Sequence, residues 1–493
     1  MRWSILGTTL LFSLQAVANN WPYFTAASQP FRPPRLQLST GGTQDPGYLF
    51  IGPRGNEAEG TAALIYDLNG DLVYQGPLQV TANFMVQRLY NQDVITFWAG
   101  DMMTLGYGYG TVHIMDSSYQ EIYTVKLQDS LVTPDGQPRD SYIDLHESRI
   151  TERNTLLVTA YNVTQRDMTF MGGQPDAFLL DAMFYEIDIA TNEIVHSWSA
   201  MDHQEEIPWE QSKQGFAEFG PQDNPWDTYH INAVELMEDG YMISMRHYWS
   251  GYYVHNNGTV MWQLSGAKGE GDFDVDDASL FSWQHDIRIF NQTEDGMVLD
   301  LFNNANTPTE ADAPTTGISM YVDLKERRAT ALRVLSDSDD IIHSVSQGSY
   351  QLNEQSQHVV LGYGSISKLK EYDENGRVVL TAQFGVDNEV ASYRGYKCPW
   401  KGTPFWKPDV VVQRATADTA DVYMSWNGAT EHDNWAVMLL PDVDSTDRTL
   451  VSVQKRTGFE TMAHLTEVTN PGYLQVVARR GEVPLGTSEI VVL

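Results

Sequence analysis

The sequence predicts an all-β protein: a six-bladed β-propeller followed by a small fibronectin-III/Ig-like β-sandwich. Three observations predict it. An apolar run, a turn rich in Asp, Asn or Gly, and a second apolar run recur six times along the chain. Each recurrence is preceded by two further strand-like runs. That makes a four-stranded unit with a period of roughly 50–70 residues, the spacing of propeller blades somewhat stretched by loops. From about Asp409 the period gives way to about six short strands with Trp426 in mid-strand, the pattern of a small sandwich.

The chain opens with "MRWSILGTTLLFSLQAVANN". Arg2 gives a short positive region, residues 5–17 an apolar one, and Ala16-Val17-Ala18 a small-residue cleavage site. Residues 1–18 therefore read as a secretory signal peptide, because the apolar run is too short to cross a bilayer. The six hairpins follow, with turns beginning near Asp67, Asp116, Asp188, His255, Asp323 and Asp373. A polar turn between alternating apolar runs is the usual chemistry of a hairpin. The propeller is expected over residues 19–405 and the sandwich over 406–493, with the boundary in the Gly/Pro-rich "KCPWKGTPFWKP". The stretch "EEIPWEQSKQGFAEF" is read as a short helix inside an inter-blade insertion, and "GYGYG" at 106–110 as a flexible loop. Sequons at Asn162, Asn257 and Asn291 agree with secretion.

Composition excludes several functions. The 493 residues are 42% hydrophobic and 11% aromatic, enough for a full core. A formal charge of −34 argues against binding nucleic acid or an anionic membrane as a polycation would. No later segment is apolar enough for a membrane helix. Cys398 is the single cysteine, so no internal disulfide forms; it reads as a buried small hydrophobe. No His-Glu-x-x-His, no Gly-x-Ser-x-Gly and no phosphate-binding glycine loop is present. Carboxylates near the histidines leave a metal conceivable, but no metal and no cofactor is assigned.

The candidate chemistry is histidine chemistry. In a propeller the innermost strand of each blade lines the central channel, and its first residue faces the channel mouth. Four of these strand starts carry histidine: "DLHESRIT" (His146), "DTYHINAVEL" (His230), "FSWQHDIRIF" (His285) and "IIHSVSQGSY" (His343). In such a propeller the four side chains converge although they lie far apart in sequence. His247 follows the second strand of its blade, and Arg246 or His247 would supply positive charge near the axis. Trp283, Tyr248 and Trp249 offer ring faces for an aromatic substrate. Imidazole serves as nucleophile, general acid–base or metal ligand.

These motifs resemble the arylsulfotransferase family, in particular its secreted fungal branch. The matching stretches are "DLHESRITERNTLLVTAYNVT", "DTYHINAVELMEDGYMISMRH", "VMWQLSG", "FSWQHDIRIF", "SYRGYKCPWKGTP", "YMSWNGATEHDNWAV" and "KRTGFET", which together cover nearly the whole chain after the leader. The resemblance implies a six-bladed propeller that moves a sulfuryl group from one phenol to another without a nucleotide cofactor, through a sulfohistidine intermediate. It implies that His230 and His285 are the family's channel histidines, which bind sulfuryl oxygens or assist proton transfer. His343 is assigned as nucleophile by its position at an inner-strand start. The family's arginine follows an "FDN" segment in a Ser-Arg pair. Here "LFNNANTPTEADAPTTGISMYVDL" has Thr315-Thr316 and no arginine, so Arg246 or Arg288 would have to replace it, or the chemistry differs.

The expected function is thus a secreted arylsulfotransferase-like enzyme acting on a phenolic or other aromatic small molecule. His343, His230 and His285 would be catalytic; His146, Arg246, His247, Arg288 and Trp283 would bind substrate. Two alternatives stand beside it. One is acid–base chemistry, a cyclisation or dehydration, on an aromatic molecule of secondary metabolism, favoured by the missing arginine. The other is a propeller that binds without catalysis.

Overall fold

Each of the six hairpin turns opens with a side chain that accepts the N–H two residues on. Asp67, Asp116, Asp188, Asp323 and Asp373 use Oδ1, on Asn69, Ser118, Ala190, Lys325 and Asn375. His255 does the same with its ring Nδ1, 3.2 Å from the N–H of Asn257. Such local bonds mimic a backbone turn and fix where one strand stops and the next begins. The computed structural model describes residues 24–27, 33, 36–58, 60–216, 219–468 and 472–493. The leader, residues 1–18, lies outside them.

The chain is all-β and, in its described residues, is built of eight sheets. Six contain a four-stranded antiparallel meander whose two outer strands form one of the hairpins. From the inside out, the first is Ala391–Cys398, Tyr48–Arg54, Leu64–Tyr66 and Leu72–Gln75, so a late strand completes an early sheet. The second is Thr81–Leu89, Gln92–Met102, Gly108–Met115 and Glu121–Val125. The third is Ser148–Ile150, Thr155–Arg166, Ala177–Asp188 and Ile194–Ser199, and the fourth Ile231–Met237, Gly240–Met245, Ser250–His255 and Val260–Ser265. The fifth is His285–Phe290, Gly296–Asn303, Thr316–Asp323 and Arg328–Leu335, with Asp274–Val275 added in parallel. The sixth is Ser349–Leu352, Val359–Gly362, Lys368–Tyr372 and Val378–Gln383, with Gln37–Thr40 added outside.

Contacts pass from each sheet to the next. Thr81–Leu89 lies between Ala391–Cys398 and Ser148–Ile150. Ile231–Met237 lies between Thr155–Arg166 and His285–Phe290, and Ser349–Leu352 between His285–Phe290 and Ala391–Cys398. The inner strands are also tied by buried charge. Glu147 accepts from Arg394 (3.0 Å) and Arg288 (2.9 Å); Arg288 also reaches Asp286 (2.6 Å) and Glu235 (3.0 Å). Asp286 accepts in addition the backbone N–H of Tyr350 at 2.8 Å. Five of the six sheets thus share one ionic cluster. A network like this costs desolvation but makes the loss of any one member expensive.

Beyond Cys398 the next strand begins at Asp409. Asp409–Arg414, Thr419–Ser425 and Glu460–Thr466 form one sheet; Thr449–Lys455, Asn434–Leu440, Tyr473–Arg480 and Val483–Thr487 form another, with Val491–Val492 paired to Tyr473–Arg480. Both sheets feed one apolar cluster around Trp426 and Trp435. This unit covers the outer edge of the first sheet. Asn427 exchanges two side-chain bonds with the backbone of Gln75 (2.8 and 2.9 Å), and Gly428 donates to the Val73 carbonyl. An exposed strand edge is so protected from pairing with another chain.

Two local expectations are corrected. The stretch read as a helix, residues 205–219, holds only the single-turn segment Trp209–Gln211 among its described residues, and a second such turn, Ala200–His203, precedes it. "GYGYG" is no free loop, for Gly108–Met115 is a strand. A Cβ on Gly110 would stand 2.5 Å from the Trp98 ring and 2.3 Å from the Ala99 carbonyl, so only glycine lets the indole lie across the strand.

Candidate active site

The inner strands of three sheets enter through a residue with left-handed backbone: Asn83 (φ 52°), His230 (φ 54°) and Asp286 (φ 58°). Each coincides with a register shift, at Ala82/Met85, Ile231/Ala233 and His285/Arg288. A bulge of this kind bends a strand and re-aims its side chains. For a histidine, such a conformation costs of order 1–3 kcal/mol and persists only where its surroundings enforce it.

Three of the four expected histidines meet here. The rings of His146 and His230 are 4.7 Å apart, and those of His230 and His285 6.3 Å. His247 joins them, 4.8 Å from His230. The end of the fourth sheet's first hairpin explains that pairing: Arg246 donates its N–H to the His230 carbonyl (3.0 Å), which extends the ladder and sets Arg246 and His247 beside His230. All four rings are buried.

The hydrogen bonds assign the ring protons. Nδ1 of His146 lies 2.5 Å from Oδ2 of Asp144, and Nδ1 of His230 lies 2.5 Å from Oδ2 of Asp227. A carboxylate only accepts, so both Nδ1 atoms carry the proton. Each Nε2 therefore presents its lone pair, and neither makes a hydrogen bond among the described residues. Asp144 is held in turn by the N–H of Gly108 (2.7 Å) and the hydroxyl of Thr159 (2.9 Å). "GYGYG" thus supports a site residue. Burial works against the Asp144 charge, but His146 and these donors outweigh it and keep its carboxyl below the usual range.

His247 and His285 are saturated. His247 donates from Nδ1 to the Asp227 carbonyl (2.5 Å), and its Nε2 accepts from Arg246 Nη1 (3.0 Å). His285 donates from Nδ1 to Asn304 Oδ1 (2.7 Å), and its Nε2 accepts the N–H of Gln347 (3.2 Å). Burial drives the pKa of His230 and His285 well below the ordinary imidazole value and that of His247 to about 3, so all three stay neutral near pH 7.

The remaining expected residues divide. Arg246 is buried, its guanidinium 5.0 Å from the Trp283 ring centre, and Trp283 also contacts His247 at 5.7 Å. Arg288 is not with them, because Glu147, Glu235 and Asp286 consume it as a tie between sheets. His343 stands apart as well. Its strand begins only at Ser349; the ring is half-buried, with Nδ1 on the Ala313 carbonyl (2.9 Å), and it shares no ring contact with the others. Asn257 and Asn291 are exposed at turns, whereas Asn162 lies in a strand with its amide bonded to Val132 and Thr164.

Sequence reasoning missed four contributors, and took Asp144 only as one of the carboxylates near the histidines that leave a metal conceivable. Asp144 and Asp227 sit two and three residues before the histidines they hold, a spacing visible in "DLH" and "DTYH". Tyr161 borders the rings of His146 (5.9 Å) and His230 (6.3 Å). Tyr393 lies 5.4 Å from the His146 ring and 6.4 Å from that of His285, and its buried hydroxyl has no partner. Arg54 donates to Gln347 Oε1 at 3.0 Å.

Two groups have the ligand types for a cation: Asp227, His230 and His247, and separately Asp45, His358 and Glu371. In the first, both histidine Nδ1 protons already point at Asp227 oxygens. In the second, the Lys397 ammonium lies 2.5 Å from Glu371 and opposes a metal.

Comparison with known proteins places this geometry. No curated protein matches the chain. Similar solved structures include a protein of unknown function from Bacteroides caccae (10% identity, 72% of this chain and 99% of that one, TM-score 0.40). Others are the periplasmic gluconolactonase PpgL of Pseudomonas aeruginosa (10%, 72% and 99%, 0.36) and an α-L-arabinanase of Penicillium chrysogenum complexed with arabinobiose (8%, 72% and 94%, 0.33). The family model described as arylsulfotransferase (ASST) matches residues 85–385, a span that contains His146, His230, Arg246, His247 and His285. The chain belongs to the arylsulfotransferase (ASST) family.

Proposed function

We propose that this protein transfers a sulfuryl group between phenols through a histidine of this cluster, without a nucleotide cofactor. The six meanders would be the blades of a closed six-bladed propeller over residues 19–405, and the C-terminal sheets a fibronectin-III-like sandwich over 406–493. A leader at 1–18, with glycans at the exposed Asn257 and Asn291, would make it secreted. The observation that carries the chemistry is the pair of carboxylate-held imidazoles whose Nε2 lone pairs are free.

His230 is the better nucleophile of the two, which moves that role from His343. Its ring is central, touching His146, His247 and His285, and its backbone is strained. Its Nε2 would form a bond to the sulfur of an aryl sulfate while the S–O bond to the aryl oxygen breaks, the electron pair leaving on the phenolate. Asp227 would stabilise the charged ring of the intermediate. The acceptor phenol would then lose its proton to His146 Nε2 as its oxygen attacks sulfur and the N–S bond breaks. That proton ends on the departed phenolate, so the atoms balance. Trp283 and Tyr161 would flank the phenol rings.

The test is incubation of purified protein with an aryl sulfate and a second phenol. Phenolate release, a sulfated acceptor and a sulfuryl mass increment on the His230 peptide are expected. Release that survives His230→Ala would return the nucleophile to another histidine, and no release at all would leave the acid–base alternative.

A further inference from the structure

Four arginines with buried guanidinium atoms, Arg54 among them though half-buried as a whole, fall into two kinds. Arg288 and Arg394 are neutralised by Glu147 and Asp286. Arg54 and Arg246 form no ion pair among the described residues, in a chain that carries a formal charge of −34. Asp227 acts on Arg246 through space, but its Oδ2 is taken by His230. An unpaired buried guanidinium is costly, and burial draws both down to about 10.

The two converge on one loop. Arg54 Nη2 donates to the side chain of Gln347 (3.0 Å), Arg246 Nη2 to the Val345 carbonyl (3.0 Å), and the Gln347 N–H to His285 Nε2 (3.2 Å). What remains is a set of buried donors without partners among the described residues: Arg54 Nη1, Arg246 Nε and the Tyr393 hydroxyl. They come from three separate strand ends. The Tyr393 ring lies 6.4 Å from that of His285, the ring whose Nε2 takes the Gln347 N–H. Fixed, buried donors suit a tetrahedral oxyanion, because planar guanidinium forks match its oxygens and need no reorganisation.

We propose that Arg54, Arg246 and the Tyr393 hydroxyl form a cradle for a tetrahedral oxyanion beside the histidine cluster. Resting on the sulfuryl-transfer reading, the anion is the sulfate end of the donor ester, and Arg54 takes the place of the arginine missing near Thr315-Thr316. Arg54 and Tyr393 lie outside the family match at 85–385 and on neighbouring strands of the first sheet, where Arg54 pairs in register with Ala391. That sheet therefore completes the site.

The full chain is titrated with inorganic sulfate, followed by calorimetry and by the fluorescence of Trp283 beneath Arg246. Saturable binding is expected in the wild type, weakened about tenfold to hundredfold in Arg54→Gln, the range for one hydrogen bond to a charged group. Arg54→Lys should recover only part of it, and Tyr393→Phe should lose about threefold to tenfold. Should Arg54→Gln fail to fold, Arg54→Lys and Tyr393→Phe carry the test. Arg377→Gln, an exposed arginine, serves as the control. Undiminished sulfate binding in Arg54→Gln overturns the cradle, as does a wild type that does not bind sulfate. Arg54-dependent sulfate binding without any transfer would sink the sulfuryl-transfer reading and leave the cradle standing. Transfer with unchanged KM and kcat in Arg54→Gln would do the reverse.

Discussion

Asp227→Asn is the sharpest perturbation of the proposed chemistry. In the wild type, Oδ2 of Asp227 lies 2.5 Å from Nδ1 of His230 and fixes the tautomer that leaves Nε2 unprotonated. When that nitrogen bonds to sulfur, the ring becomes cationic and the carboxylate faces it across roughly 4 Å. At an effective dielectric of 20, two unit charges at that distance attract by about 4 kcal/mol. At 1.36 kcal/mol per decade this predicts a fall in kcat of about a thousandfold. The amide can still accept from Nδ1 if its NH2 group turns to the Oδ1 side, where Asp227 has no partner, so the ring position survives. Stability should hold or rise slightly, because burial already disfavours the Asp227 charge and holds its pKa up against the fields of His247, His146 and Arg246. The assay is single-turnover phenolate release, with the unfolding midpoint as the control for structure. If Asp227→Asn keeps kcat within about threefold while Asp144→Asn collapses it, the nucleophile is His146. If neither variant is impaired, the carboxylate–imidazole reasoning fails.

Three further outcomes are expected. Arg288→Met should destabilise the fold by about 3–5 kcal/mol, seen in denaturant unfolding, because it leaves the buried carboxylates of Glu147 and Asp286 to share Arg394 alone, yet leave the KM for an aryl sulfate unchanged. Gly110→Ala should cost about 1–3 kcal/mol by overpacking against Trp98, read as a lower unfolding midpoint. Among the described residues His432 has no partner for either ring nitrogen, and burial lowers it to about 3, whereas an unfolded histidine titrates near 6.5. The unfolded chain therefore binds a proton that the folded one refuses, and stability falls as pH drops below about 6.5, by up to about 1.4 kcal/mol per unit. His432→Leu should flatten that acid loss in thermal unfolding measured between pH 7 and pH 5.

The hairpins were legible because their turns are encoded locally: an aspartate, or His255 in its stead, accepts its own backbone two residues on. His146, His230 and His285 were legible because each lies at or within two residues of an inner strand's first residue. His343 misled for a physical reason. "IIHSV" alternates like a strand, but its backbone is spent elsewhere: the Ile342 carbonyl on Thr315, the Ser344 N–H on the Thr315 hydroxyl. Pairing begins only after Gln347, whose φ of 65° breaks the run. Arg288 misled because its carboxylates come from three places in the sequence and meet only in the folded chain. "GYGYG" looked loose because the indole that demands those glycines sits a strand away, at Trp98.

The sheet that holds residues from both ends of the meander region carries the strongest link between fold and chemistry. The imidazoles come from the third, fourth and fifth sheets, within the segment the family model matches. The unpaired cation and phenol opposite them, Arg54 and Tyr393, come from the first sheet, where Tyr48–Arg54 pairs with Ala391–Cys398. A nucleophile without those donors would attack a sulfuryl group whose negative oxygens had only Arg246 to rest on. Pairing of the two strands therefore ties the late chain to the early one and, on the proposed reading, adds Arg54 to the positive charge that Arg246 already sets beside the histidines. Loss of Arg54 separates the two roles, since the strand can still pair through its backbone while the anion loses its holder.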